Sequence, residues 1–297
     1  MADRINELIV AAKKYDIESL ALEAGLKPAI RAICSNRELI RLAGVWRKKR
    51  AYIERSAYKV ISSRQGLSKV PLASREGNII VYISHNKNIV KELSRSEAQL
   101  ITGDIKPDSK LFFVLTQKIG ELLGYPGCCI NFFSKFNSLS SQDIKMKAIS
   151  NTAHSFSFYL NNFYEHSGAR LHSLVSHLPC SYDCKYSLIY AKKILDAIRG
   201  LNFKDALKIE NLLRLPLIYF PGGRVIVLDS SMAHKKKADL NAYYFGDERV
   251  ILKDGCPVSV EHKIHNTNIR VLDGASLINR GRGRAPGKKE AVFLHFC

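Results

Sequence analysis

Four of the chain's seven cysteines lie in two short stretches. Cys128 and Cys129 follow a Tyr-Pro-Gly turn, and Cys180 and Cys184 enclose a Ser-Tyr-Asp segment that follows Pro179. Because Pro and Gly end one helix and begin the next, we expect all four thiols at loop-to-helix junctions. A helix N-terminus favours the thiolate, which is the form that binds metals and attacks electrophiles. The two stretches therefore predict a metal site or a reactive thiol site.

The spacing of these residues limits how many sulfurs we expect in one site. Cys180 and Cys184 are four residues apart, which places both on the same face of a helical turn. Cys128 and Cys129 are adjacent, and adjacent side chains normally point apart, so we expect one of them to join the pair. His177 precedes Cys180 by three residues and is a candidate for the remaining position. An iron–sulfur cluster with an accessible iron is the first interpretation, and zinc is the alternative.

Asp183 stands directly before the last of these cysteines and is a candidate for two roles. It can carry a proton in a reaction at the thiols, together with His177. Its carboxylate can instead cap the helix that begins there, and this second role is the more usual one for an aspartate. The other cysteines lack a comparable turn and are expected to stand outside the site: Cys34, Cys256 and Cys297.

Patterns on either side of the motifs predict the scaffold that positions them. Apolar residues recur at helical spacing up to residue 60 and the stretch 62–77 resembles a linker, so we expect an N-terminal helical region over 1–75. Residues 78–84 form an apolar, β-branched run typical of a buried strand, which begins a central cysteine-motif domain over 76–213. Short strands bounded by Gly, Asp or Asn then predict a β-rich, basic domain over 214–297. The predicted fold class is α+β or α/β.

One predicted helix near the N-terminus has two different faces. Asn36 can cap it, and apolar residues, including the single Trp46, lie on one side. The other side is basic: Arg41, Arg47, Lys48, Lys49, Arg50 and Arg55. Such a face can follow a phosphate backbone, but a solvated exterior is the usual explanation for charge on a helix.

The net charge of +19 favours an anionic partner, such as RNA or a phosphorylated small molecule. Two basic loops of the C-terminal region are candidate phosphate-binding segments, because Lys and interleaved Gly-Arg residues attract phosphate. Their basic residues are Lys235, Lys236, Lys237, Arg280, Arg282, Arg284, Lys288 and Lys289. No apolar run is long enough to span a bilayer, so we expect no membrane partner. The polar start of the chain favours a cytoplasmic location.

The two cysteine motifs also carry a family resemblance. The first reads Leu-Gly-Tyr-Pro-x-Cys-Cys-x3-Phe from Leu123, and the second reads Pro-Cys-Ser-x2-Cys-x2-Ser from Pro179. Together they resemble the paired motifs of an uncharacterised prokaryotic family, domain of unknown function 483, over residues 78–200. The resemblance implies no established activity, so it supports the site and leaves the reaction open.

Three functions fit these observations. The first is a metal-dependent enzyme, a transferase or oxidoreductase whose cysteine-bound iron–sulfur centre performs sulfur transfer or reductive chemistry on an anionic substrate. The alternative is a non-catalytic nucleic-acid-binding protein with a structural zinc site. The second alternative is a thiol oxidoreductase that uses Cys180 and Cys184. The sequence leaves the oligomeric state open.

Overall fold

The computed structural model of the chain divides it into two compact units. One unit comprises Glu18–Ser140, and the other comprises Met1–Ile17 and Ser141–Cys297. The structure describes residues 8, 10–12, 14–63, 66–103, 105–106, 109–136, 141–163, 173–219, 225–228, 242–245, 270–273, 290–294 and 296–297. Compact units need not coincide with domains, so the predicted boundaries at 75 and 213 stay a prediction.

Both units mix helices and strands. The helices are α1 Ile17–Glu23, α2 Asn36–Lys48, α3 Lys87–Thr102, α4 Lys110–Leu122, α5 Gly127–Phe136, α6 Ser141–Asn151, α7 Lys185–Leu201 and α8 Phe203–Leu213, with a 3-10 turn at Phe158–Leu160. The strands are β1 Ile30–Cys34, β2 Tyr52–Ser63, β3 Gly66–Val70, β4 Asn78–Ser84, β5 Leu217–Tyr219, β6 Val225–Leu228, β7 Ala242–Phe245, β8 Arg270–Asp273 and β9 Glu290–Leu294.

The unit Glu18–Ser140 is built on a four-stranded sheet in the order β1-β4-β2-β3. Every pairing in it is antiparallel. Since α/β folds rest on parallel strands joined by helical crossovers, this sheet gives an α+β fold, one of the two predicted classes.

The N-terminal region is not the all-helical segment that the sequence predicted. Strands β1 and β2 lie within it, and the predicted linker 62–77 instead contributes to a β2–β3 hairpin. The helix that contains Trp46 is shorter than predicted. It ends at Lys48, and Arg50 takes a left-handed conformation, with φ of 56°. That turn reverses the chain into β2, where the pairing with β4 sets the structure.

The predicted strand Asn78–Ser84 is present as β4 and lies between two hydrophobic clusters. Ile79, Val81 and Ile83 belong to one cluster, together with Trp46 of α2. Ile80 and Tyr82 belong to the other cluster, which includes residues of α3 and α4. Because strand side chains alternate between faces, one strand contributes to the core on both sides of the sheet.

A polar network lies within the second of these clusters. The Tyr82 hydroxyl donates to Glu97 Oε2 at 2.5 Å, and Arg31 Nη1 lies 3.2 Å from Glu97 Oε1. Tyr82 and Glu97 are buried, whereas Arg31 keeps part of its side chain in solvent. Burial, followed by the charge of Glu97, raises the pKa of Tyr82 far above its ordinary value. The network therefore depends on the carboxylate of Glu97.

Replacing Glu97 with Gln should lower the free energy of unfolding by about 2 kcal/mol, because Arg31 loses its counter-charge in a partly buried setting. Urea denaturation measures the change. Glu121→Gln is the matched control, since the Glu121 carboxylate is exposed and accepts one amide hydrogen bond from Gln117. Equal stability of the two variants would contradict a stabilising role for the network.

The second unit combines α6, α7 and α8 with a five-stranded sheet in the order β7-β6-β5-β9-β8. Strands β5 and β6 form an antiparallel pair, and β8 and β9 run parallel. An aromatic cluster fills the core here: the ring of Phe163 lies 5.1 Å from that of Tyr182 and 4.8 Å from that of Tyr219. Among the described helices, none has the length and apolar content that crossing a membrane requires.

Candidate metal centre

The first cysteine motif begins with a helix C-terminal cap. The N–H of Tyr125 donates to Gly120 O at 2.9 Å, and the N–H of Gly124 donates to Glu121 O at 2.9 Å. This pair of bonds is a Schellman motif, and it requires the left-handed conformation that Gly124 adopts at φ of 74°. The cap ends α4 and reverses the chain just before the two cysteines.

Pro126 then starts the next helix. Its carbonyl accepts hydrogen bonds from the N–H groups of Cys129 and Ile130, at 2.9 and 3.0 Å. Cys128 and Cys129 are consequently in the first turn of α5, as the sequence predicted. The positive end of the helix dipole lies at this turn and favours the thiolate forms.

The second motif ends at another helix N-terminus. Cys184 is the N-cap of α7, and its carbonyl accepts from the Leu188 N–H at 2.9 Å. The prediction that Asp183 caps this helix is wrong. Cys184 takes the cap position, and its side chain makes no capping hydrogen bond to the helix backbone.

The last residue of α6 and the residue after it hold the 180–184 loop in place. Asn151 Nδ2 donates to the Cys180 carbonyl at 3.2 Å. Thr152 Oγ1 accepts from the Tyr182 N–H at 2.9 Å. Sequence reasoning missed both supporting residues, because nothing in their local pattern signals a contact some thirty residues away.

Asp183 is part of the same support. Its Oδ2 accepts from the N–H groups of Ala153 and His154, at 2.9 and 3.0 Å, and its Oδ1 accepts from Ser181 Oγ at 2.6 Å. Three donors therefore converge on one carboxylate. This arrangement orients the loop, and the predicted role of Asp183 as a proton carrier stays a prediction.

Replacing Asp183 with Ala should lower the free energy of unfolding by about 1–2 kcal/mol, because the two backbone N–H groups lose their charged acceptor. Urea denaturation gives the value, and metal titration of the same variant shows whether affinity falls with it. Asp196→Ala is the control, since Asp196 forms only an exposed ion pair with Arg199 and should change stability by less than about 0.5 kcal/mol.

The structure brings together all four cysteines of the two motifs. The sulfur atoms of Cys128, Cys129, Cys180 and Cys184 all lie within 4.8 Å of one another. Cys129 and Cys184 are buried, Cys180 is half-buried and Cys128 is exposed. The expectation that Cys128 and Cys129 would point apart is wrong, since their sulfurs are 3.9 Å apart. Neighbours on a helix differ by about 100° rather than the 180° of a strand, so both can reach one point.

These distances suit the ligands of a single ion. A tetrahedral zinc site with Zn–S bonds of about 2.3 Å places its sulfurs about 3.8 Å apart. An iron–sulfur cluster of four irons bonds each cysteine to a different iron, so its cysteine sulfurs stand further apart than the ligands of one ion. The four residues thus fit one thiolate-bound metal ion, and thiolate ligands suit zinc or iron.

Both cysteine motifs lie in a segment that matches a protein family. Residues 88–214 match the family described as "Protein of unknown function (DUF483)". We call residues 88–214, which are similar to that family, the DUF483 segment. The match confirms the family resemblance and includes all four cysteines of the centre. No curated protein and no solved structure matches the chain.

His177 also lies in the DUF483 segment, but outside the group of four sulfurs. Its Nε2 lies 2.8 Å from Ser187 Oγ in a buried setting, and its ring meets that of Tyr190 edge-on at 6.0 Å. The contact with Ser187 engages Nε2, one of the two ring nitrogens through which a histidine can bind a metal. A role for His177 as a ligand or in catalysis stays a prediction.

The remaining candidate residues fall outside the DUF483 segment. The basic C-terminal residues also lie outside the described residues: Lys235, Lys236, Lys237, Arg280, Arg282, Arg284, Lys288 and Lys289. Their role as phosphate ligands stays a prediction. Of the cysteines predicted to stand apart, Cys34 is buried and Cys297 is exposed, and neither belongs to the group of four. Cys256 lies outside the described residues.

Proposed function

We propose that the four cysteines hold one zinc ion and that the protein binds nucleic acid, with the zinc as a structural element. The observation that carries the metal is the mutual distance of the four sulfurs, none above 4.8 Å. Four protein ligands complete a tetrahedral coordination, and a zinc site without a free position is typically structural.

The proposal of a nucleic-acid partner rests on the net charge of the chain. The net charge of +19 includes 46 Lys and Arg residues against 27 Asp and Glu residues. A charge of this size attracts polyanions over distances set by the ionic strength. Binding through phosphate contacts predicts an affinity for nucleic acid that falls linearly with salt on a logarithmic scale.

A second candidate is the iron–sulfur enzyme, acting on RNA or a phosphorylated small molecule by sulfur transfer or reductive chemistry. The observation that favours it is the exposure of Cys128. A ligand at the solvent-facing edge can be displaced by a substrate, which a buried ligand cannot. The sulfur spacing favours the single ion, so we rank this candidate second.

Elemental analysis and an absorption spectrum of anaerobically purified protein separate the candidates. The zinc proposal predicts one zinc per chain and a colourless solution. The iron–sulfur enzyme would be supported instead by several irons per chain, acid-labile sulfide and a broad brown absorbance. A thiol oxidoreductase would be supported, against both metal proposals, by a metal-free protein in which Cys180 and Cys184 interconvert with a disulfide.

Fluorescence anisotropy with labelled DNA and RNA tests the second part of the proposal. The zinc-loaded protein should bind, with a steep loss of affinity between low and physiological salt. Zinc-loaded protein with no affinity for either nucleic acid at low salt would contradict nucleic-acid binding while leaving the metal site intact.

A further inference from the structure

The solvent-facing side of α2 is a surface that the metal centre does not use. Counting along the helix, these residues recur at intervals of three or four, so they share one face. We call them the α2 outer face: Arg37, Ile40, Arg41, Gly44, Val45 and Lys48. This face precedes the DUF483 segment in the sequence.

The helix that carries this face is fixed on its other side. Trp46 is buried in the hydrophobic cluster beneath it, and Leu39 and Leu42 pack against that cluster. At its N-terminus, Ser35 and Glu38 form a reciprocal capping box. The α2 outer face is therefore a pre-formed surface rather than one that must fold on binding.

The centre of the face is unusual for a surface exposed only to water. Ile40 is 76% exposed and Val45 is 45% exposed. Gly44 lies between them, and a Cβ added to it would meet no atom within 4 Å. Glycine weakens a helix interior relative to alanine, and nothing in this unit's packing requires it here. A bare strip of backbone between two aliphatic side chains lets another molecule approach closely.

The border of the face is basic, and no ion pair among the described residues involves Arg37, Arg41 or Lys48. Arg37, Arg41 and Lys48 are exposed. The acidic residue of the helix, Glu38, is engaged in the capping box, and the neighbouring Glu23 pairs with Lys49. The face thus presents positive charge around an apolar centre.

We propose that the α2 outer face binds duplex DNA, with the helix in the major groove. Arg37, Arg41 and Lys48 contact phosphates, and Gly44 allows the close approach. The proposal rests on the nucleic-acid-binding function proposed above, and it names the surface and the form of nucleic acid. The major groove of B-form DNA admits an α-helix. The deep, narrow groove of duplex RNA does not. Single strands are usually bound by stacking on aromatic rings, and this face carries none.

The first test compares two variants that each lose two positive charges, one on α2 and one on α3. Arg37→Gln/Arg41→Gln should weaken binding to a 20-base-pair DNA duplex about tenfold and lower the salt slope by about 2. Lys87→Gln/Lys91→Gln, with the same charge lost from exposed positions of α3, should change affinity less than about threefold. Equal losses in the two variants would overturn the proposal, because binding would then depend only on net charge.

The second test uses the glycine. Gly44→Leu should weaken duplex binding about tenfold, while the thermal midpoint stays equal or rises, since the added side chain meets open space and leucine favours a helix. Gly200→Leu is the matched control: Gly200 also lies in a helix, α7, with open space around it, and affinity should not change. Undiminished duplex binding by Gly44→Leu would overturn the proposal.

Single-stranded RNA, duplex RNA and anionic lipid vesicles complete the comparison. Duplex DNA should show the largest loss on Gly44 and Arg substitution. If these substitutions abolish binding to vesicles or to RNA and leave duplex DNA binding unchanged, the assignment to duplex DNA is wrong. Loss of the metal site affects the cysteine variants and not these variants, so failure of the zinc proposal remains separate from failure of this one.

Discussion

A Cys184→Ser variant is expected to be purified without the metal ion that the unaltered chain retains. Cys184 is buried at the N-cap of α7, and its sulfur lies within 4.8 Å of three others. Serine keeps the size of the side chain but does not supply a soft anionic ligand at neutral pH. We expect affinity for zinc to fall by at least about 100-fold, measured by competition with a chromogenic chelator.

The same substitution should lower stability, because the binding free energy of a structural ion contributes to folding. The thermal midpoint of Cys184→Ser should match that of unaltered protein treated with chelator. Cys297→Ser is the control, since Cys297 is exposed and outside the group of four, and it should retain full metal content. A Cys184→Ser protein with one zinc per chain at unchanged affinity would contradict the proposed site.

The second large effect is expected at Gly124, in the turn that leads into the first motif. Gly124 adopts φ of 74°, which is strained for any residue with a Cβ. A Cβ placed there would lie 2.6 Å from Pro28 Cδ, well inside van der Waals contact. We expect Gly124→Ala to lower the free energy of unfolding by about 3 kcal/mol through backbone strain and overpacking. It should also weaken metal binding, because Cys128 and Cys129 follow directly.

Gly127→Ala is the matched control within the same turn. Gly127 begins α5, and a Cβ added there would meet no atom within 4 Å. Alanine favours the helix, so stability should stay equal or rise slightly. Urea denaturation of both variants in zinc-loaded form makes the comparison. Similar unfolding midpoints for the two variants would contradict the role assigned to the Gly124 turn.

The position of the centre could be predicted because it depends on local chemistry. Gly124 and Pro126 mark a helix boundary in the sequence itself, and cysteines beside such a boundary have few structural explanations. The group of four also depends on non-local support. The contacts of Asn151 and Thr152 with the 180–184 loop join residues some thirty positions apart, and single-sequence patterns carry no such information.

The N-terminal strands could not be predicted for a related reason. Within β2, Tyr52 to Arg55 pair with β4, the register then shifts, and the pairing resumes at Lys59. This irregularity breaks the alternation by which a strand is recognised. β1 is short, its two end residues are buried and its three middle residues are half-buried. Its structure is fixed by antiparallel pairing with β4, a partner almost fifty residues later.

X-ray absorption spectroscopy at the edge of the bound metal is the sharpest test of the four-cysteine site. Protein purified with its native metal should show a single shell of four sulfur atoms at about 2.3 Å around one zinc ion. Replacement of any one of the four cysteines should reduce that shell or abolish the bound metal. A metal–metal distance in the spectrum, or a shell of nitrogen and oxygen ligands, would contradict a mononuclear centre held by Cys128, Cys129, Cys180 and Cys184.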